Sequence, residues 1–257
     1  MVDSRARARC LLGGTALVGL LVALVGCRGP GAPRPAHRAL ACEDGPAVVP
    51  PGAVVVTPHD LGAGVRKPQH VLALSGGGLF GAYSAGVLDG WSRTGTRPEF
   101  DVVTGTSAGA LIAPFAFLGS EYDTHAMRLY TGVRARDIFR VRSLVALPFS
   151  DAFATTEPLR GLIEQNVTPD LMARIADQHR AGRRLYVGTT DLRTRRAVVW
   201  DMGAIAGRPA PEGVNLFRDV LLASAAVPGV FPPVPFRITV DGREETEYHV
   251  DGGITAQ

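Results

Sequence analysis

Ser107 stands between two glycines in the run Gly105-Thr106-Ser107-Ala108-Gly109. A serine so placed can attack an acyl carbon if its hydroxyl stands clear of a tight turn and a neighbouring base takes its proton. The residues before it, "FDVVTG", read as a strand, and those after it, "SAGALIAPFAFLG", as an apolar helix. Strand, sharp turn and helix N-terminus would then meet at the hydroxyl, with Gly105 and Gly109 forming the elbow. A helix N-cap would occupy the same position, so that reading stays open. Attack on an ester creates an oxyanion that needs fixed N–H donors. Gly76-Gly77-Gly78 offers a loop of bare amides at the start of another helix, whose dipole adds positive potential.

The base is harder to find. Histidines fall at 37, 59, 70, 125, 179 and 249. His37 and His59 precede the core, His70 begins a strand, and His125 and His179 lie on predicted helices. The order Ser, then Asp or Glu, then His of an α/β-hydrolase is not expected here. Asp251, in "HVDGG", puts a carboxylate at a strand end with room around it. A plain Asp-Gly-Gly turn explains the same residues. Gly76, Gly78 and Gly81 also fit a dinucleotide fingerprint, G-x-G-x-x-G, with Asp101 twenty residues on. In that fold the acidic residue ends a strand, whereas Asp101 begins one.

The elements that must hold these residues alternate. Val71 to Leu74 reads as a buried strand. Phe80, Tyr83, Val87 and Trp91 recur at helical spacing and predict a helix with that stripe buried. Thr156 with Pro158, and Thr168 with Pro169, mark two helix starts, and Gly182 a helix stop. "RRLYVGTTDL" and "RAVVWDM" read as strands, "NLFRDVLLASAAVPGVFPPV" as a helix entering a proline-rich corner, and residues 236–253 as a hairpin around Asp241-Gly242. The expected fold is α/β, a three-layer sandwich with a mostly parallel central sheet and helices on both faces. Phe80, Phe115, Phe117 and "LVALPFSDAF" (144–153) are candidates for an acyl groove.

The N-terminus carries a different signal. Arg5, Arg7 and Arg9 precede a short apolar run ending in Leu24-Val25-Gly26-Cys27. This resembles a bacterial lipobox, in which the cysteine is acylated and becomes the new N-terminus. Arg28 follows, so no acidic residue sits next to the cysteine, which by resemblance to enteric lipoproteins favours the outer membrane over the inner. Residues 1–27 are therefore expected to be signal and lipobox, and 28–53, rich in Pro, Gly and Ala, a tether. A catalytic domain is expected over 54–257. Removing residues 1–26 leaves +1 of the formal charge of +3, which gives nucleic-acid binding little support. Cys42 would then be the one thiol free of lipid, excluding an intrachain disulfide. No spacing suggests a metal site.

Taken in order, the GGG loop, the GTSAG elbow, "ASAAVPGVFPPV" (223–234) and the DGG turn resemble the patatin-like phospholipase family. The resemblance covers roughly Val71 to Gly253. It implies a Ser–Asp dyad without histidine: Ser107 as nucleophile, Asp251 as base, and Gly76, Gly77 and Gly78 as the oxyanion hole. No metal or organic cofactor is implied, and the expected substrate is a membrane lipid or another acyl ester. Where family members often carry Arg or Lys before the last glycine of the loop, this chain has Phe80, removing an anchor for anionic head groups. The family's chain normally continues past the aspartate, so a C-terminally truncated domain is expected. The alternative functions are an inactive lipoprotein with the same fold and a dinucleotide-binding enzyme.

Overall fold

The computed structural model describes residues 53–54, 70–141, 152–240 and 243–255, all within the unit that runs from Ala47 to Gln257. The signal, Cys27, most of the tether, residues 144–151 of the proposed groove and Asp241-Gly242 lie outside them.

Nine strands and eight α-helices are described. The strands are β1 (Ala53–Val54), β2 (Val71–Leu74), β3 (Val102–Thr106), β4 (Arg140–Val141), β5 (Ala154–Thr155), β6 (Arg184–Asp191), β7 (Arg196–Asp201), β8 (Val234–Val240) and β9 (Arg243–Asp251). The helices are α1 (Gly81–Arg93), α2 (Ala108–Leu118), α3 (Asp123–Gly132), α4 (Ala135–Ile138), α5 (Glu157–Asn166), α6 (Pro169–Arg180), α7 (Met202–Ala206) and α8 (Glu212–Ser224). Seven strands form one sheet, ordered β1-β7-β6-β3-β2, with β9 on β6 and β8 on β9. Strands β2, β3 and β6 are parallel neighbours, and the remaining pairings in this sheet are antiparallel. Followed through these pairings, β1, β2, β3, β6 and β8 run one way and β7 and β9 the other. The fold is therefore α/β, with a mostly parallel, mixed sheet flanked by helices.

Strand β6 is the ruler of the molecule. One of its edges is taken by β7, paired from Tyr186 to Asp191. The other edge is shared: β3 pairs with Arg184 to Gly188, and β9 pairs with Thr189 to Asp191. Strand β3 runs along β6 and β9 runs against it, so the two approach each other by their C-terminal ends. The last residue of β3, Thr106, lies opposite Gly188. The last residue of β9, Asp251, lies opposite Thr189. Consecutive positions on one strand thus fix where Ser107 and Asp251 must come.

Helix α2 follows Ser107 and is apolar throughout, with nine buried residues, so it runs through the core rather than over the surface. Its last carbonyls need partners away from water. Arg97 Nη2 donates to Ala116 O at 2.8 Å, and Arg183 donates to Phe117 O and, through Nε, to Phe100 O at 2.9 Å. Two guanidinium charges thereby sit at the negative end of the α2 dipole. Phe117 is a fully buried core residue, and Phe115 packs against the rings of Tyr122 and His125 and with them lines a cavity that includes neither Ser107 nor Asp251.

The stripe on α1 turns out the other way from the sequence expectation. Tyr83, Val87 and Trp91 are exposed, as are Leu79 and Phe80 before the helix, the first three of these five aromatic and aliphatic side chains after Gly78 reaching 76%. Helix α1 instead buries Gly81, Ala85, Leu88 and Asp89. Size explains the choice. A methyl on Gly81 would come within 2.5 Å of Tyr130 Cε1 and 3.0 Å of Ala108 Cβ, so α1 sits too close to α3 and α2 to accept a large residue there. Periodicity announces an apolar stripe, but the face with small side chains is the one that packs.

Strand β2 is not the buried strand expected from its apolar run: it ends the strand order, and only Leu74 is buried while Val71 is exposed. Several other local signals agree with the structure. Thr168 Oγ1 accepts from Leu171 N–H at 3.2 Å as the cap of α6, and Gly182 ends that helix with φ 100°. Thr156 holds the N-cap position of α5 without a side-chain bond, Pro158 shaping the first turn. Strands β8 and β9 form the expected hairpin, in register from Val240 opposite Arg243.

Candidate active site

The sharp turn at Ser107 is built by close approaches that only glycine permits. A Cβ on Gly109 would strike the carbonyl oxygen of Leu74, and one on Gly105 would lie 2.7 Å from Gly109 O. These two glycines let the first turn of α2 pack directly on β2 and β3. Ser107 itself has φ 55° and ψ −126°, a left-handed conformation rare for a residue with a side chain. Such strain costs about 1–3 kcal/mol and persists only where the surroundings enforce it. Ser107 occupies the N-cap position of α2, yet its side chain makes no capping bond. The hydroxyl is left for another partner.

Asp251 is the group placed to be that partner: β3 and β9 end at adjacent positions of β6, and the Ser107 side chain is near enough to the carboxylate to lower its pKa against the effect of burial. Asp251 is 5% exposed and Ser107 8%. Burial pushes the Asp251 carboxyl above the usual carboxylate range, while the Ser107 side chain and the bond from the Gly253 amide pull it partly back. Gly253 N–H donates to Oδ1 at 2.8 Å, so the Asp-Gly-Gly turn also exists. Turn former and base candidate are the same side chain. Gly252 lets the chain pass β6, since a Cβ there would strike Gly188 O.

The glycine loop lies against the serine. A Cβ added to Gly76 would sit 2.9 Å from Ser107 Cβ. Gly77 and Gly78 have φ of 151° and 56°, which give the loop a course closed to other residues, and Gly78 opens the 3-10 turn that leads into α1. The third glycine of the dinucleotide fingerprint, Gly81, is accounted for by the packing of α1 on Tyr130 and Ala108. Asp101 lies at the start of β3, away from this loop, and its Oδ2 accepts from His70 N–H at 3.0 Å. The dinucleotide reading is thereby set aside.

His249 follows Ser107 in the chain and lies two residues from Asp251, but both of its ring nitrogens are engaged elsewhere. Nδ1 is 2.9 Å from Thr189 Oγ1 and Nε2 is 3.4 Å from Glu247 Oε2. It is fully buried against Trp200 and Phe236, and burial lowers its pKa. His125 pairs with Asn166 Oδ1 at 3.0 Å, and His179 lies 3.5 Å from Asp201 Oδ1. None of the three is bonded to Ser107.

Residues that carry no chemical signal in the sequence also shape the site. Asp251 N–H donates to Ala226 O at 2.9 Å, and Thr190 Oγ1 donates to Asp251 O at 3.0 Å. Ser224, fully buried at the end of α8, accepts from Ser107 N–H at 3.0 Å and donates to Gly188 O at 2.7 Å. In the sequence only the run "ASAAVPGVFPPV" as a whole points to this segment, and nothing in it singles out Ser224 or Ala226.

A strained serine turn beside a buried carboxylate and a glycine loop is the arrangement expected of the family already suggested by the motifs. The model of the family described as patatin-like phospholipase matches residues 72–257. A 78-residue stretch is 40% identical to a "cGAMP-activated phospholipase" of Pseudomonas aeruginosa (strain BWHPSA011 / Pa011), and covers 29% of this chain and 23% of that protein. The match therefore spans less than a quarter of that relative's length. With a site of this geometry and a family match over most of its length, the chain belongs to the patatin-like phospholipases.

Proposed function

We propose that this chain is a serine lipid acyl hydrolase of the phospholipase A, lysophospholipase or esterase type, working through a Ser107–Asp251 dyad. The observation that carries the reading is the strained, non-capping Ser107 set beside the buried Asp251 by the adjacent ends of β3 and β9 on β6, with burial raising the carboxylate's proton affinity. An exposed carboxylate is a weak base toward a hydroxyl, and burial narrows that gap.

In the proposed cycle Ser107 Oγ attacks the ester carbonyl while its proton passes to Asp251. Amides of Gly76, Gly77 and Gly78 receive the oxyanion. Collapse breaks the bond to the alcohol, which takes the proton from Asp251. Water then attacks the acyl-enzyme, gives a proton to Asp251, and the fatty acid leaves as Ser107 recovers it. The cycle calls on no cofactor.

A lipid substrate is supported by what surrounds these residues. Leu79 and Phe80 follow the glycine loop, Val227 and Val230 follow Ala226, and Ile254 follows the Asp251 turn, all with exposed side chains. Acylation of Cys27 would hold the enzyme on the bacterial membrane that supplies such a substrate. Replacement by serine should then release the protein to the soluble fraction and abolish palmitate labelling.

The deciding test is labelling by a fluorophosphonate probe together with ester turnover. Labelling at Ser107 is expected, lost in Ser107→Ala, with turnover at background in both Ser107→Ala and Asp251→Asn, because the two act as a unit. Undiminished turnover in either variant would overturn the dyad. A folded protein whose Ser107 never labels would favour an inactive lipoprotein.

A further inference from the structure

We propose that Ser224 is a positioning residue whose hydroxyl, bridging the Ser107 amide to the Gly188 carbonyl, holds the nucleophile in its strained conformation and sets its distance from Asp251. This rests on the hydrolase reading for its kinetic consequence, but not for its structural one.

The geometry is specific to the site. Ser224 is fully buried and uses its hydroxyl twice, accepting from Ser107 N–H at 3.0 Å and donating to Gly188 O at 2.7 Å. Gly188 is the position on β6 opposite Thr106, the residue before the nucleophile. Two residues past Ser224, the carbonyl of Ala226 accepts from Asp251 N–H at 2.9 Å. The short run from Ser224 to Ala226 therefore grips the backbone amides of both dyad residues, which are far apart in sequence. No side chain on the dyad itself can set that spacing, since the hydroxyl and the carboxylate must remain free to exchange a proton.

The bridge also has a chemical consequence. In a nucleophile elbow the turn is strained, and the amides around it are the usual source of oxyanion donors. Here the amide of Ser107 is taken by Ser224, so it cannot serve as one. The burden of oxyanion binding falls on neighbouring amides, the glycine loop first among them. Loss of the Ser224 hydroxyl frees the Ser107 amide, removes the restraint on φ, and lets the hydroxyl drift from Asp251.

The test compares wild type, Ser224→Ala, Ser224→Cys and Asp219→Asn in the full chain. Asp219 also lies on α8 and pairs with Arg160 of α5 at 2.8 Å, so that variant loosens the helix without removing a bond to Ser107. Two readouts are needed: kcat and KM on a short-chain ester, and hydrogen exchange at the Ser107 amide by NMR. Ser224→Ala should lower kcat by about 10²-fold with KM nearly unchanged, the scale of an ångström-sized misplacement. Its Ser107 amide should exchange at least about tenfold faster than in wild type, the usual consequence of losing a protecting partner. Asp219→Asn should do neither. A kcat loss in Ser224→Ala no larger than in Asp219→Asn, a change confined to KM, or unaltered exchange at Ser107 overturns the proposal. If Ser224→Ala does not fold, Ser224→Cys decides, because sulfur keeps the volume but weakens both bonds: reduced kcat with faster Ser107 exchange supports the bridge, and wild-type values of both refute it. If wild type has no activity, the hydrolase reading fails while the exchange measurement still judges the bridge.

Discussion

Replacing Gly76 by alanine perturbs the site by one methyl group and almost nothing else. The φ of Gly76 lies outside the left-handed region and the residue is exposed, so alanine is admissible to the backbone. Its stability cost should be about 1–3 kcal/mol, the scale of an overpacked contact. The new Cβ would lie 2.9 Å from Ser107 Cβ and 3.6 Å from Ser107 Oγ. Non-bonded carbons settle at about 3.5–4.0 Å, so the pair must part by about 0.6–1 Å. Ser107 is pinned through its amide, and the loop holds the proposed oxyanion donors. Whichever moves, nucleophile and donors lose register. A misplacement of about 1 Å costs on the order of 10²-fold in rate, equivalent to about 2.7 kcal/mol of barrier. The assay is kcat on a short-chain ester beside a thermal melt. Gly86→Ala is the control: its methyl meets nothing within 4 Å, so it should leave turnover unchanged and gain up to about 1 kcal/mol as a helix-interior glycine. Turnover within twofold of wild type in Gly76→Ala would refute the argument, as would a collapse of its melting temperature, which would place the loss in folding.

Three more outcomes are expected. Asp251→Asn should abolish turnover yet raise the melting temperature at neutral pH: a native pKa raised by burial contributes stability below the unfolded value and loses it as pH rises through the native one, so the ionised carboxylate costs stability that the neutral amide does not. The acid limb of kcat/KM should climb with pH through a midpoint above the usual carboxylate range, because the base must be ionised; a limb at or below that range would contradict the burial of Asp251. Arg183→Ala should destabilise by about 2–6 kcal/mol in urea unfolding, since it strips partners from the buried carbonyls of Phe100 and Phe117 at about 1–3 kcal/mol each.

Much of this molecule was written in local chemistry. Alternating strand and helix patterns, the Thr168–Pro169 start, the Gly182 stop and the β8–β9 hairpin each depend on a few adjacent residues, so each could be read directly. Gly105 and Gly109 announced an elbow because a turn that tight tolerates nothing larger beside it. Three-dimensional packing decided the rest. An apolar stripe on α1 was legible, but its direction was not, because the closeness of Tyr130 and Ala108 selects the small-residue face. Ser224 was silent, since a serine at a helix end has no distinctive neighbours and its two partners, Ser107 and Gly188, lie far away in sequence. The meeting of Ser107 with Asp251 belongs to the same class: composition and spacing can nominate a hydroxyl and a carboxylate, but only the register of β3 and β9 along one edge of β6 brings them together.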